Sequence, residues 1–447
     1  MKHNQRSHIS FYVESLGCAK NSVDSRSIAE ILNKAGYLEE TVPDDADVII
    51  VNTCGFIQPA IEESIGVLKE FSSMKKRDQI LIAAGCLSER DRNLIASHVN
   101  GLDAVYGTRH WGDILKILSQ IRKDIPRPYM HFPKGIAMDE KQIGTHRVAV
   151  YGASAYLKIA EGCERGCAFC AIPSIKGPMV SRSVNDILDD AAFLQDKGVK
   201  EIILIAQDTT SYGKDFGLKD GLPLLLEKLR EKVPLVPWIR IMYMFPGSIS
   251  DELISVMADS DQILPYLDIP LQHASPDVLK KMRRPSNMRS VRTLLEKMRD
   301  RIPHLALRST FIIGFPGETD ADFETLKNFI REMRFDHVGF FPYFREQGTP
   351  SYKLEDDISP ELKQERIQEI AGIQETISLQ KNKEFIGKNI DVLVEGNGDG
   401  VSIGRSYRDA PEIDGLVMIN KIIEPNHIYK TRVTGALVHD LIAKIPE

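Results

Sequence analysis

The run Glu161-Gly-Cys-Glu-Arg-Gly-Cys-Ala-Phe-Cys170 decides how the rest of the chain is read. Cys163, Cys167 and Cys170 fall within eight residues, separated by three and then two positions. At that spacing a tight loop turns all three sulfurs toward one soft metal centre. Gly162 and Gly166 allow the loop positive φ and bring backbone N–H groups near an anionic cluster. Three thiolates are one fewer than a closed four-cysteine site uses. An iron–sulfur cubane held this way keeps one iron open to a further ligand.

The surroundings are those of an ordinary soluble protein. The chain has 447 residues, 43% hydrophobic and 27% charged, which is room for about three domains. No apolar run approaches the roughly 20 residues that span a bilayer. The polar start Met-Lys-His-Asn-Gln-Arg-Ser-His lacks the apolar core of a signal peptide. The expected location is cytoplasmic, with no membrane partner, and thiols there stay reduced. Six cysteines then point to metal or catalysis rather than disulfides. The net charge of −6 argues against general attraction to nucleic acid.

Upstream of the loop, three cysteines each close an apolar segment. A strand is expected over 9–17 before Cys18, another over 47–53 before Cys54, and a third over 79–85 before Cys86. Helical periodicity follows each, over 23–32, about 57–71 and from about Ser88, and a fourth strand is expected at 102–106 with a helix over 110–122. Continuous apolar strands alternating with helices imply a parallel sheet covered on both faces. Ligands of such sheets sit beyond the carboxyl ends of the strands, where all three cysteines fall. Three thiols in equivalent places favour a shared metal site over three unrelated buried cysteines.

The alternation resumes after a connector expected over 126–150. Strands are expected at 156–161, 201–206, 238–243, 265–270, 308–313 and 337–343, with helices such as 184–197 and 320–332 between them. Six βα units imply a partial (βα)6 barrel, and the triple-cysteine loop follows its first strand, at the end that hosts chemistry. Gln207 and Asp208 close the second strand, and Gln272 and His273 follow the fourth. Gly314-Phe-Pro-Gly-Glu318 ends the fifth; a tight turn is the plainer reading of that segment, and His273 reads as a loop or capping residue rather than a ligand.

Past a long polar helix at about 359–385, short alternating segments and frequent glycines describe a small antiparallel barrel of about five strands over 381–447. Such barrels commonly bind RNA. This one carries nine Lys/Arg against ten Asp/Glu, and Arg408-Asp-Ala-Pro-Glu-Ile-Asp414 is locally acidic, which favours a basic, protein partner. The expected fold class is α/β, with domains at 1–125, 151–380 and 381–447.

Cys-x3-Cys-x2-Cys after the first strand of a βα barrel, with Phe169 before the last cysteine, resembles the radical S-adenosylmethionine superfamily. The resemblance is closer to its methylthiotransferases and covers essentially the whole chain. It rests on Ser-Leu-Gly-Cys18, Val-Asn-Thr-Cys54 and Ala-Gly-Cys86-Leu for the first domain, and on the last domain as a TRAM barrel. Tyr266-Leu-Asp-Ile-Pro-Leu-Gln-His-Ala-Ser and Gly404-Arg-Ser-Tyr-Arg-Asp-Ala-Pro-Glu-Ile-Asp-Gly415 resemble the branch acting on an aspartate of a ribosomal protein.

The resemblance implies two [4Fe-4S] clusters, one on Cys18, Cys54 and Cys86 and one on Cys163, Cys167 and Cys170. It implies S-adenosylmethionine bound at the open iron of the second cluster and cleaved there to a 5′-deoxyadenosyl radical. A methylthio group would then be placed on the β-carbon of an aspartate of small-subunit ribosomal protein uS12. An external electron donor is implied, and a ribosome contact through the TRAM barrel is a candidate. No acid–base residue is assigned, because the cofactor carries the difficult chemistry. Gln207, Gly314 and Glu318 are candidate S-adenosylmethionine contacts by location. Two alternatives stay open: a tRNA adenosine methylthiotransferase of the same family, and a zinc-stabilised RNA-binding protein without catalysis.

Overall fold

The computed structural model describes residues 8–123, 125–133 and 144–446. These form two compact units. One comprises Met1–Ala149 with Glu161–Arg165 and Cys170–Met179; the other comprises Val150–Ala160, Gly166–Phe169 and Val180–Glu447.

The first unit is built on a six-stranded parallel sheet ordered β2-β1-β3-β4-β5-β6. Its strands are β1 (Ser10–Ser15), β2 (Leu38–Glu39), β3 (Val48–Thr53), β4 (Ile80–Gly85), β5 (Ala104–Tyr106) and β6 (Tyr129–His131). β3 is buried at every position, as a parallel strand covered on both faces must be. One cluster of apolar side chains, including Phe11, Ile50, Leu118 and Trp111, fills one face. Val51, Leu68, Leu81 and Ile95 belong to the cluster on the other. Helix α1 (Ala19–Lys34) follows β1 and helix α2 (Gln58–Met74) follows β3. β6 lies inside the segment expected to be a connector, so the sheet runs past the expected boundary at 125. Part of that connector, 134–143, lies outside the described residues.

The second unit begins with β7 (Val148–Tyr151), which crosses the boundary, and β8 (Ser154–Lys158); two-residue strands β9 (Ala160–Glu161) and β10 (Val180–Ser181) flank the cysteine loop. β11 (Glu201–Ile205), β12 (Trp238–Ile241), β13 (Tyr266–Asp268), β14 (Ala306–Ile313) and β15 (His337–Pro342) match the other expected strands. β8, β11 and β12 pair in parallel, and so do β13, β14 and β15. A parallel bridge from Ile239 to Ile263 spans the seam between the two sets. Six parallel strands with helices between them make the expected partial barrel.

The C-terminal segment closes a five-stranded barrel, β16-β17-β18-β20-β19. Its strands are β16 (Asn389–Gly398), β17 (Val401–Ser406), β18 (Val417–Ile419), β19 (Ile428–Ala436) and β20 (Leu441–Lys444). The core holds Ile390, Val392, Val417, Ile419, Val433 and Leu441. The antiparallel expectation fails at one place, since β18 and β20 are parallel. A closed ring of five strands cannot alternate direction at every seam, so one parallel pair is obligatory.

Candidate active site

The first cysteine trio is set by three neighbouring strands. β1, β3 and β4 pair with Ser15 opposite Asn52 and Thr53 opposite Gly85, so their carboxyl ends open at one edge. Cys18 stands at the N-cap of α1, Cys54 follows β3 directly, and Cys86 is the first residue of helix α3 (Cys86–Arg90). The expected helix after Cys86 therefore starts at the cysteine itself. Gly17 has φ +89, and a Cβ there would stand 2.8 Å from both Cβ and Sγ of Cys54. Only glycine allows this approach.

Two asparagines staple the three turns together. Asn21 Nδ2 donates to the carbonyls of Leu16 (2.7 Å), Asn52 (3.2 Å) and Thr53 (3.1 Å). Asn52 Nδ2 donates back to the Asn21 carbonyl and to Ser25 Oγ. Cys86 Sγ lies 3.8 Å from Asn21 Oδ1. The three thiols sense one another electrostatically. Burial pushes Cys86 up to about 12, and burial also raises Cys54. Cys18 is exposed at the surface; the partial desolvation that would raise its thiol is outweighed by Lys20 and the N–H groups of Asn21 and Lys20 at the helix start, which bring it below the usual thiol range. Such a set favours a soft cation that takes the place of the protons.

Glu161–Arg165 and Cys170–Met179 belong to the same unit as this trio. Gly162 has φ +78, and a Cβ there would meet the Pro178 carbonyl at 2.1 Å. Cys163 N–H donates to the Gly177 carbonyl at 3.1 Å, and Arg165 N–H points to Cys163 Sγ at 3.4 Å. Arg109 caps the short helix Ile172–Lys176 by donating to the carbonyls of Ser174 and Ile175. In the other unit, Ala168 N–H donates to Met282 O, and Ser351 N–H donates to Ala168 O. Ala168 packs with Val278, Met282, Phe315 and Tyr343, and Phe169 borders that cluster. Arg284 Nη1 stands 3.7 Å from Cys167 Sγ and its guanidinium stacks on Phe245.

Among the described residues no three His, Cys, Asp or Glu groups close on a single ion. In a cubane each thiolate takes a different iron, so that convergence is not required. Two all-thiolate trios match the donor set of such clusters.

The candidate S-adenosylmethionine contacts fall as follows. Gln207 is half-buried just past β11, and Gly314 (φ +73) just past β14. Glu318 lies in the same turn but is 4% exposed. Its carboxylate accepts from Gly314 N–H at 2.8 Å and from Arg366 Nη1 at 2.7 Å, with His273 Nε2 at 3.4 Å. Protein donors from the turn and from Arg366 hold this carboxylate in place. His273 Nδ1 accepts from Ser275 N–H at 2.9 Å, the capping role expected of it.

The segment Gly404–Gly415 corrects the charge argument. Arg405, Arg408, Asp409 and Ala410 are all buried. Asp409 and Asp414 face His337, and Asp414 also faces Arg308 and accepts from Tyr266 Oη. Arg405 Nη2 bonds Glu201 at 2.6 Å and Ser154 Oγ at 2.9 Å. Asp409 and Asp414 of the acidic run are spent on contacts with the βα barrel, while Glu412 is exposed.

Three family models cover the chain. The radical SAM superfamily model matches residues 157–330, the uncharacterized protein family UPF0004 model residues 10–107, and the TRAM domain model residues 386–445. Among solved structures, the radical S-adenosylmethionine methyltransferase TsrM from Kitasatospora setae matches with a TM-score of 0.55 and 14% identity, over 77% of this chain and 74% of that one. The radical enzyme OxsB matches with a TM-score of 0.51 and 12% identity, over 83% of this chain and 58% of that one. Likeness at that identity concerns the fold. The superfamily model over the barrel marks a radical S-adenosylmethionine enzyme, which works with an iron–sulfur cluster and S-adenosylmethionine, with an α/β domain before its barrel and a TRAM barrel after it.

Two curated relatives, from Roseiflexus sp. (strain RS-1) and Aquifex aeolicus, are both named ribosomal protein uS12 methylthiotransferase RimO. The first is 44% identical over 98% of this chain and 97% of its own. The second is 42% identical over 97% of each. The chain belongs to the RimO family of radical S-adenosylmethionine methylthiotransferases.

Proposed function

We propose that this protein installs a methylthio group on the β-carbon of an aspartate in ribosomal protein uS12, using two [4Fe-4S] clusters. The observation that carries this reading is identity above 40% along almost the full length to proteins named for that activity. Cys163, Cys167 and Cys170 would hold the cluster that binds S-adenosylmethionine, and Cys18, Cys54 and Cys86 a second one that bears the inserted sulfur. When bound, these groups supply radical generation at S-adenosylmethionine and sulfur delivery.

The chain's own residues do the positioning. Met282 and Ser351 clamp Ala168, and Arg284 presents an N–H to Cys167. Asn21 and Asn52 tie the turns that carry Cys18, Cys54 and Cys86. Gln207 and the backbone at Gly314 are proposed to line the S-adenosylmethionine site, with Glu318 bracing the turn from behind. An external electron donor is required, the location is cytoplasmic, and a ribosome contact would use the TRAM barrel. No helix among the described residues is long and apolar enough to cross a membrane.

Mass spectrometry of uS12 and of tRNA from a deletion strain tests the reading. Loss of the methylthio group from a uS12 aspartate is expected, with restoration by the wild-type gene. An unchanged uS12 with a lost tRNA adenosine modification would overturn it in favour of the tRNA branch.

A further inference from the structure

A closed ring of four charges, three of them buried and Glu161 partly exposed, lies in the first unit. Lys176 Nζ contacts Asp24 Oδ2 at 3.0 Å and Glu161 Oε1 at 2.8 Å. Arg147 Nη2 contacts Asp24 Oδ1 at 2.5 Å and Glu161 Oε2 at 3.7 Å. The ammonium also donates to Thr108 Oγ1 at 2.5 Å, and the Arg147 guanidinium stacks on Trp111 at 4.0 Å. Lys176, Asp24 and Arg147 are buried.

The ring's members come from informative places. Asp24 is on α1, the helix that Cys18 caps. Glu161 is two residues before Cys163, and Lys176 is six after Cys170. Helix α3, which starts at Cys86, packs against the helix that ends at Lys176. Lys176 is thus held between α1, which Cys18 caps, and α3, which Cys86 begins. A buried ion pair is rarely better for stability than apolar packing of the same volume. Four such contacts beside the proposed cluster cysteines ask for another reason.

We propose that Lys176 is a positioning residue for the N-terminal cysteine trio: within the Asp24–Lys176–Glu161–Arg147 ring it ties the flanks of the radical loop to α1 and sets a positive charge beside Cys86 that holds the trio's cluster at a higher reduction potential. The tuning half rests on the two-cluster reading above; the tie does not. Cluster potentials follow local charge and hydrogen bonding. The intact ring is neutral, two cations against two carboxylates. Lys176→Met leaves it with an excess negative charge, and Asp24→Asn leaves an excess positive charge.

The test has two arms. In the first, the full chain carrying Cys163→Ala, Cys167→Ala and Cys170→Ala is reconstituted with iron and sulfide, and the remaining cluster is titrated with EPR detection. Lys176→Met should lower its potential, Asp24→Asn should raise it, and Lys176→Arg should stay near the parent. Shifts of the same sign, or none, overturn the tuning role, since mere loosening of the fold would not reverse sign between the two variants. In the second, amide hydrogen exchange over 161–165 and 170–179 is followed in the metal-free chain. Both Lys176→Met and Asp24→Asn should speed it by at least about tenfold, as local opening free energy falls; unchanged exchange overturns the tie. A parent that binds no cluster in the first arm refutes both the two-cluster reading and the tuning, while the exchange arm still decides the tie.

Discussion

Asn21 carries much of the first trio's geometry in one side chain. Its amide N–H group serves three buried carbonyls on two different turns, and its side-chain oxygen faces Cys86 Sγ. Asn21→Ala removes one donor from each of these carbonyls, of which Asn52 O keeps the Leu16 N–H, and should cost the metal-free chain about 1–3 kcal/mol. Chemical denaturation measures this, and a loss below about 0.5 kcal/mol would contradict the stapling role. The six cysteines were legible in the sequence because thiols are scarce and their placement after strands was regular. Asn21, Asn52, Asp24 and Lys176 were not, because their partners lie far along the chain; Lys176 and Asp24 are 152 residues apart. A polar residue in the first turn of a helix reads as ordinary capping until the fold brings its partner. Glu318 shows the converse: the turn after a strand is visible in sequence, whereas its partner Arg366, 48 residues on, is not.

Elements with long apolar runs were legible for the same reason that they are stable. All six barrel strands and four strands of the N-terminal sheet fall where continuous apolar segments placed them. The strands at Leu38–Glu39 and Tyr129–His131 are short sheet edges, with too few residues to show a period. The Gly404–Gly415 segment misled because charge in sequence does not reveal whether a partner is internal. Glu201 illustrates its grip: burial would raise its carboxyl, but Arg240 and Arg405 bring it down to about 2. Arg405→Met should therefore destabilise the chain by about 3 kcal/mol in urea denaturation, as removal of one buried partner does; a change within experimental error would show the contact to be idle.

His337 meets the same segment and gives it a pH dependence. Burial would lower its pKa, but Asp414 and Asp409 outweigh this and raise it above the usual value. A raised folded pKa means that the stabilisation is complete below the unfolded value, about 6.5, and is lost as pH rises through the folded one. The denaturation midpoint should fall between pH 6 and 9 more steeply in the wild type than in His337→Gln. Parallel curves would remove His337 from the account.

At the scale of the molecule, three regions of different periodicity announce the parallel sheet, the βα barrel and the small closed barrel, while the partition of the cysteine loop does not show. Its flanks group with the N-terminal sheet and Gly166–Phe169 with the barrel, because loops take their neighbours from tertiary packing. Two trios predict about eight irons per reconstituted chain, and Cys163→Ala should retain about half. Complete loss, or no loss, on iron analysis would refute two independent clusters.

Purified components separate the roles of the two cysteine trios. The reconstituted protein, uS12, S-adenosylmethionine and a reductant are combined without oxygen, and uS12 peptides are analysed by mass spectrometry. The wild type should place one methylthio group on a single aspartate, and Cys86→Ala should leave uS12 unmodified while still cleaving S-adenosylmethionine. Methylthiolated uS12 from Cys86→Ala, or unmodified uS12 from a wild type carrying its full iron, would contradict the account.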